Sequence, residues 1–244
     1  GYAIRNFGAP GDQPVPADFD GDGLTDIAVW RPSDGNWYVI NSSDGAFRTL
    51  TWGIVGDIPA PADYDGDRKA DLAVYRPSDG TWYRILSTGA FSFINFGVAG
   101  DKPLPGDYDG DGKADLAVFR PSTGTWYFLS AGNTFRYFNW GVETDIPVPG
   151  FYDGDNRMDT TVFRPSTGEW WILRSFGAGG ITRIVWGENG DIPVPADYDG
   201  DGRTDAAVYK PSTGEWLISQ SAFGTRTVTF GIDGDLPAPA SYQR

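Results

Sequence analysis

The sequence predicts an all-β fold, a β-propeller of four-stranded blades, and three observations carry that expectation. A phrase of the form [WF]-G-x-x-[GT]-D-x-P-x-P begins at Phe7, Trp52, Phe96, Trp140, Trp186 and Phe230, at intervals of 44 to 46 residues. The first unit holds three short runs rich in β-branched and aromatic side chains, at 26–31, 36–41 and 47–52, and the later units repeat them. Proline and glycine recur at fixed offsets: of the 18 prolines, twelve lie in the six P-x-P phrases and five in [RK]-P-S turns, leaving no room for a helix of ordinary length. Four short strands in a repeat of ~45 residues is the arithmetic of a propeller blade, whereas solenoid repeats are usually shorter and carry fewer strands.

Each element of a unit has a local reason. The P-x-P segment, as at 14–17, lacks N–H donors, so it belongs at a sheet edge, which the innermost strand of a blade provides. The next two runs are joined by Pro-Ser-Asp-Gly or Pro-Ser-Thr-Gly, a tight hairpin in which Pro sets one corner and Gly supplies a positive φ. The fourth strand leads into the next [WF]-G. Five complete units and a partial sixth predict one domain over 1–244, a five-bladed ring. A six-position ring, or a piece of a larger propeller, is the alternative, because 2–8 reads as an outer strand and 235–242 as an inner one.

Composition narrows the function. With 19 Lys+Arg against 33 Asp+Glu, the formal charge is −14. Such a chain lacks the basic patch that nucleic acid or an anionic membrane needs. No run of about 18 apolar residues is present, so membrane insertion is not expected. Neither His nor Cys occurs, which removes the common zinc sites, disulfides, thiol nucleophiles and imidazole proton shuttles. The chain starts Gly-Tyr-Ala, and a soluble, processed protein or excised fragment is expected.

The loop after each P-x-P strand is acidic. In the first unit Asp18, Asp20, Asp22 and Asp26 occupy positions 1, 3, 5 and 9, and the carbonyl of Leu24 at position 7 can add an oxygen. The pattern recurs as Asp63, Asp65, Asp67, Lys69, Asp71; as Asp107, Asp109, Asp111, Lys113, Asp115; and as Asp197, Asp199, Asp201, Arg203, Asp205. In the fourth unit Phe151 replaces the first carboxylate and Asn156 the glycine at position 6, leaving Asp153, Asp155 and Asp159. The second unit has Arg68 at that glycine position. Ca²⁺ takes six to eight oxygens, and a Gly-tightened loop turns alternate side chains onto one point. Two such charges ~4 Å apart repel by about 4 kcal/mol at an effective dielectric of ~20. About four Ca²⁺ ions are therefore expected, the 153–159 loop being the weak case. No Glu stands at position 12 and the flanks read as strands, so these are not EF-hands; Mg²⁺ suits them less well.

The phrases Phe7-Gly8…Gly11-Asp12 and Ala17-Asp-Phe-Asp-Gly-Asp-Gly-Leu-Thr-Asp26, with their repetition, resemble the FG-GAP/VCBS repeats of integrin α-subunit heads and secreted bacterial proteins. The resemblance spans essentially the whole chain. It implies a calcium-loop propeller with the ion held through the Asp positions above, and a secreted or cell-surface location.

These readings lead to a calcium-stabilised recognition or scaffold module for a glycan or protein ligand. Trp37, Trp82, Trp126, Trp170 and Trp216 are candidate ligand platforms; the competing reading packs them between blades with the neighbouring Arg over a ring. Catalysis is not expected, since near-equivalent blades offer no unique pocket; a glycosidase or lyase using channel carboxylates is the alternative. A self-assembly module associating through the termini is the other. The aspartates of the Gly-Asp or Thr-Asp pairs (Asp12, Asp57, Asp101, Asp145, Asp191 and Asp235) are expected to accept backbone N–H groups in turns.

Overall fold

The computed structural model describes residues 5–175 and 180–238. The segments 2–4 and 239–242, read from sequence as parts of terminal strands, lie outside the described residues.

Among the described residues, twenty strands form five four-stranded antiparallel sheets, arranged in a ring as a five-bladed β-propeller. Blade 1 comprises β1 (Gln13–Pro14), β2 (Ile27–Arg31), β3 (Asn36–Ile40) and β4 (Phe47–Thr51). Blade 2 comprises β5 (Ile58–Pro59), β6 (Leu72–Arg76), β7 (Thr81–Ile85) and β8 (Phe91–Asn95). In blade 3 these are β9 (Lys102–Pro103), β10 (Leu116–Arg120), β11 (Thr125–Leu129) and β12 (Phe135–Asn139). Blade 4 has β13 (Ile146–Pro147), β14 (Thr160–Arg164), β15 (Glu169–Leu173) and β16 (Ile181–Val185). Blade 5 has β17 (Ile192–Pro193), β18 (Ala206–Lys210), β19 (Glu215–Gln220) and β20 (Gly224–Thr229). Each sheet follows chain order from inner to outer strand.

The inner strands are only two residues long because proline punctuates them. In blade 1 the chain rejoins the sheet through Val15, whose N–H donates to the Ala28 carbonyl at 2.9 Å. Among the described residues the one regular helical element is a 3₁₀ turn at Pro121–Thr123, inside a Pro-Ser-Thr-Gly hairpin.

The core lies at the junctions between blades. Trp37 and Trp30 of blade 1 pack with Leu72 and Val74 of blade 2, and the same arrangement joins blades 2 and 3, 3 and 4, and 4 and 5. Hydrogen bonds cross the same junctions. Indole N–H groups of Trp52, Trp140 and Trp186 donate to the carbonyls of Tyr83, Trp171 and Leu217 in the following blade, at 2.9–3.1 Å.

This corrects the tryptophan platform. Trp37, Trp82, Trp126 and Trp170 have no exposed surface, and each Nε1–H donates to the carbonyl of residue 52, 96, 140 or 186. Trp216 is half-buried and makes the same bond to Phe230. A strand position facing the next blade is needed for packing in every unit, and an amphipathic ring with one N–H satisfies it. The neighbouring arginines stack elsewhere: Arg31, Arg76 and Arg120 lie 4.2–4.4 Å from the ring centres of Tyr38, Tyr83 and Tyr127.

Those arginines explain the Gly-Asp and Thr-Asp aspartates. Asp12, Asp57, Asp101 and Asp145 each accept a backbone N–H three residues upstream, as read from sequence. Each also receives a two-pronged bond from Arg31, Arg76, Arg120 or Arg164 at 2.7–3.0 Å, and Lys210 takes that role toward Asp191. The Arg31 guanidinium holds the Asp12 carboxyl below the usual carboxylate range.

The hairpin glycine is fixed by two constraints. Gly80 has φ 70°, and a Cβ there would sit 2.2 Å from the Gly97 carbonyl oxygen. Gly80→Ala is expected to lower stability by at least about 2 kcal/mol, the left-handed penalty plus a backbone clash. Denaturant unfolding with an unchanged m-value checks this.

Candidate metal sites

Each acidic loop is pinned at both ends by an isolated bridge, Ala17 to Asp26 in blade 1 and the equivalent pairs in the other four. Between these points the backbone wraps around its own carboxylates. In loops 1, 2, 3 and 5 the first aspartate accepts the N–H of position 4 at 2.6 Å and that of position 6 at 2.7–2.9 Å. In every loop the position-5 aspartate accepts the N–H of position 7 at 2.7–2.9 Å.

The ninth residue is the hub. Asp26, Asp71, Asp115, Asp159 and Asp205 are at most 1 % exposed. Each accepts the N–H of loop position 2 at 2.8–3.1 Å. Four of them also accept the N–H of Ser42, Ser87, Ser175 or Ser221, in the turn that leaves the third strand, at 2.6–2.7 Å. Blade 3 has Ala131 where those serines stand, and there the second oxygen of Asp115 is buried without a partner.

Carboxylate oxygens converge in four loops. Oxygens of Asp18, Asp20 and Asp22 lie within 4.8 Å of one another, as do those of Asp63, Asp65 and Asp71, of Asp107, Asp109 and Asp111, and of Asp197, Asp199 and Asp205. Asp153, Asp155 and Asp159 do not gather in this way among the described residues. Phe151 brings no carboxylate, and its N–H is taken instead by the Thr204 hydroxyl at 2.9 Å. Asn156 does not adopt the left-handed conformation that glycine takes at position 6, whereas Arg68 does, with φ 69°. Loop 2 therefore keeps its turn at a cost of about 1–2 kcal/mol, and loop 4 changes shape.

Burial raises the hub carboxyls. It pushes Asp71 and Asp159 up to about 6, and burial together with the Asp109 charge pushes Asp115 up to about 7. Asp26 and Asp205 are raised for the same reason. Buried, mutually repelling carboxylates with an orphaned oxygen are the donor set that a hard divalent cation satisfies. At position 7, Leu24, Lys69, Lys113 and Arg203 hold the loop through their N–H groups. Lys69, Lys113, Arg157 and Arg203 also lay their side chains against the position-4 glycine of the preceding loop. Sequence reasoning missed this latch, which places a cationic stem beside the neighbouring acidic loop.

A second feature was also missed. The outer strands of blades 2 and 3 expose Phe91, Phe93, Phe135 and Tyr137, each 55–73 % accessible. Alternation in 91–95 and 135–139 carried the signal, but how far an outer strand is exposed is set by its place in the ring.

Residues 18–74 and 63–118 match the model of an FG-GAP-like repeat. Within 18–118 the chain carries FG-GAP-like repeats. No protein of curated function matches it. Among solved structures it is similar to virginiamycin B lyase from Staphylococcus aureus (10 % identity, TM-score 0.59, 94 % of this chain and 72 % of the lyase). It is also similar to an Agrocybe aegerita lectin that recognises non-reducing terminal N-acetylglucosamine (16 % identity, TM-score 0.58, 87 % and 63 %). A functionally unknown protein from Desulfotomaculum acetoxidans is another (13 % identity, TM-score 0.55, 93 % and 72 %). At these identities the likeness is one of fold.

The lyase nevertheless corrects one expectation drawn from sequence. Catalysis is not expected from repeated blades without a unique pocket, yet a protein of similar fold is an enzyme, so the fold does not exclude activity.

The raised hub carboxyls set a pH dependence. Their folded-state values lie above the unfolded value near 3.9, so the stability they contribute is full below pH ~4 and is lost as pH rises through about 6 to 7. The metal-free chain is expected to melt higher at pH 5 than at pH 8, by differential scanning calorimetry in chelator; a higher melting temperature at pH 8 contradicts it.

Proposed function

We propose that the chain is a calcium-dependent recognition module that works outside the cell, its blades stapled by ions in the loops 18–26, 63–71, 107–115 and 197–205. The observation that carries this reading is the convergence of three carboxylates within 4.8 Å in four of five loops, with the buried hub aspartate among them in loops 2 and 5. Extracellular Ca²⁺ is abundant enough for sites of modest affinity. FG-GAP-like repeats are typical of extracellular proteins, and among the described residues no helix is long and apolar enough to cross a membrane. Asp18, Asp20, Asp22 and their counterparts would hold the ion, with the position-7 carbonyls as further oxygens.

The ligand is a glycan or a protein surface, and the exposed rings of Phe91, Phe93, Phe135 and Tyr137 take over the platform role first given to the junction tryptophans. Aromatic faces stack on sugar rings and also anchor protein interfaces. That a lectin shares the fold supports recognition by analogy only. No role is assigned to nucleic acid, the net charge of −14 being unfavourable.

Two outcomes test this reading. Removing Ca²⁺ with chelator at pH 7.5 is expected to lower the melting temperature by at least about 5 °C, and adding it back to restore it; an unchanged melt removes the metal. On a glycan array in calcium buffer, the F93A/Y137A double variant is expected to lose at least about tenfold in signal while melting within about 2 °C of the parent. Equal binding by parent and variant removes the aromatic platform.

A further inference from the structure

The crevices between neighbouring blades repeat around the ring, and one of them differs in a way that points to a ligand. Between blades 1 and 2 a pocket of about 260 Å³ is lined by Phe19, Val39, Leu50, Lys69 and Leu86 among others. Between blades 2 and 3 the equivalent pocket, about 190 Å³, presents Tyr64, Arg84, Ile94, Lys113 and Ser130 at the same repeat positions. The decisive exchange is Val39 to Arg84. At this place blades 1, 3, 4 and 5 carry Val39, Phe128, Ile172 and Ile218, all buried and apolar.

Arg84 is unlike the other β-strand arginines that face a junction. Its Nε–H is buried with no hydrogen-bond partner, and among the described residues it forms no ion pair. Its guanidinium carbon lies 5.0 Å from the centre of the Tyr64 ring, whose hydroxyl is already committed to the Ala60 carbonyl at 2.7 Å. Burial holds the guanidinium below its ordinary value, while Tyr64 and the Asp71 carboxylate act in the other direction without an ion pair to it. Lys113 enters the same pocket and also forms no ion pair among the described residues; the one carboxylate on the wall, Asp65, belongs to the metal loop.

A half-buried guanidinium whose Nε–H is buried without a partner costs free energy that an apolar residue at this position would avoid, and four of five blades do avoid it. Arginine's planar fork matches a carboxylate. The apolar wall of Tyr64, Ile94 and Leu116, with Ser130 and Asn133 at the rim, suits a ring bearing hydroxyl groups. The pocket is smaller than the ~300–1,000 Å³ of a site for a whole drug-sized ligand, so it takes one terminal unit.

We propose that the crevice between blades 2 and 3 binds a carboxylate-bearing sugar unit, its carboxylate between Arg84 and Lys113 and its ring against Tyr64. This deepens the recognition reading by naming an acidic ligand class, and rests on that reading only for its biological setting. It also supplies the unique pocket that blade repetition argues against.

The test is a titration of the full chain in calcium buffer with sodium glucuronate, and separately with neutral glucose, followed by the arginine Nε–H resonances. A saturable shift of Arg84 with glucuronate and none with glucose is expected. Arg84→Val, which restores the blade 1 residue, is expected to weaken glucuronate binding more than tenfold with the fold intact by circular dichroism, and Lys113→Ala several-fold. No saturable shift at Arg84, or glucuronate binding by Arg84→Val equal to the parent, overturns the proposal. Array ligands bound equally by parent and Arg84→Val would leave the recognition reading standing and remove this site. An Arg84 shift that persists in chelator would keep the site and detach it from calcium.

Discussion

The buried carboxylate at the ninth loop position is the constraint on which the rest of the molecule depends. It sits where the acidic loop, the second strand and the turn after the third strand meet, and it answers N–H groups from two of these. A carboxylate excluded from water needs partners of this kind or a cation, since burial disfavours its charged form. In blade 3 one partner is missing, and there the carboxyl is pushed highest, to about 7. The same residue thus links fold and site: it closes the loop that collects the other aspartates, and a cation held by them would stabilise it.

Neighbouring blades are coupled through these loops as well as through the aromatic junctions. The carbonyl of loop position 1 accepts an N–H from position 8 of the next loop, at 2.6–3.0 Å across four junctions. A cation that orders one loop therefore also orders an edge of the following blade. Beneath this layer the indoles of Trp37, Trp82, Trp126 and Trp170 supply burial, and the Arg–Asp pairs lock each hairpin turn to the entry of its own blade. With aspartate side chains at most 4 % exposed and arginines 21–29 % exposed in those pairs, removing the arginine would leave a buried charge unanswered.

Much of this was legible in the sequence because repetition converts weak local signals into strong ones. The runs 26–31, 36–41 and 47–52 became β2, β3 and β4 to within a residue, and among the described residues three of the four spaced aspartates gather in loops 1, 2, 3 and 5 but none of the set does so in loop 4. The tryptophans stood open between ligand platform and blade packing because spacing along a strand gives the face of a side chain but not what covers that face. Likewise the Arg31–Asp12 pair joins residues 19 apart through the return of the first hairpin, a contact visible only once the register is known. Departures from the repeat proved the most informative: Phe151 disables a loop, Arg68 holds a strained turn, and Arg84 places a charge where its counterparts are apolar.

Loops 1, 2, 3 and 5, and not loop 4, are proposed as cation cages built around a hub carboxylate. Isothermal titration of Ca²⁺ into the chelator-stripped chain measures this most directly. About four ions per chain are expected, unchanged by Asp153→Asn in the fourth loop and reduced by one in Asp109→Asn. Absence of saturable binding, or a stoichiometry that falls with Asp153→Asn but not with Asp109→Asn, would contradict it.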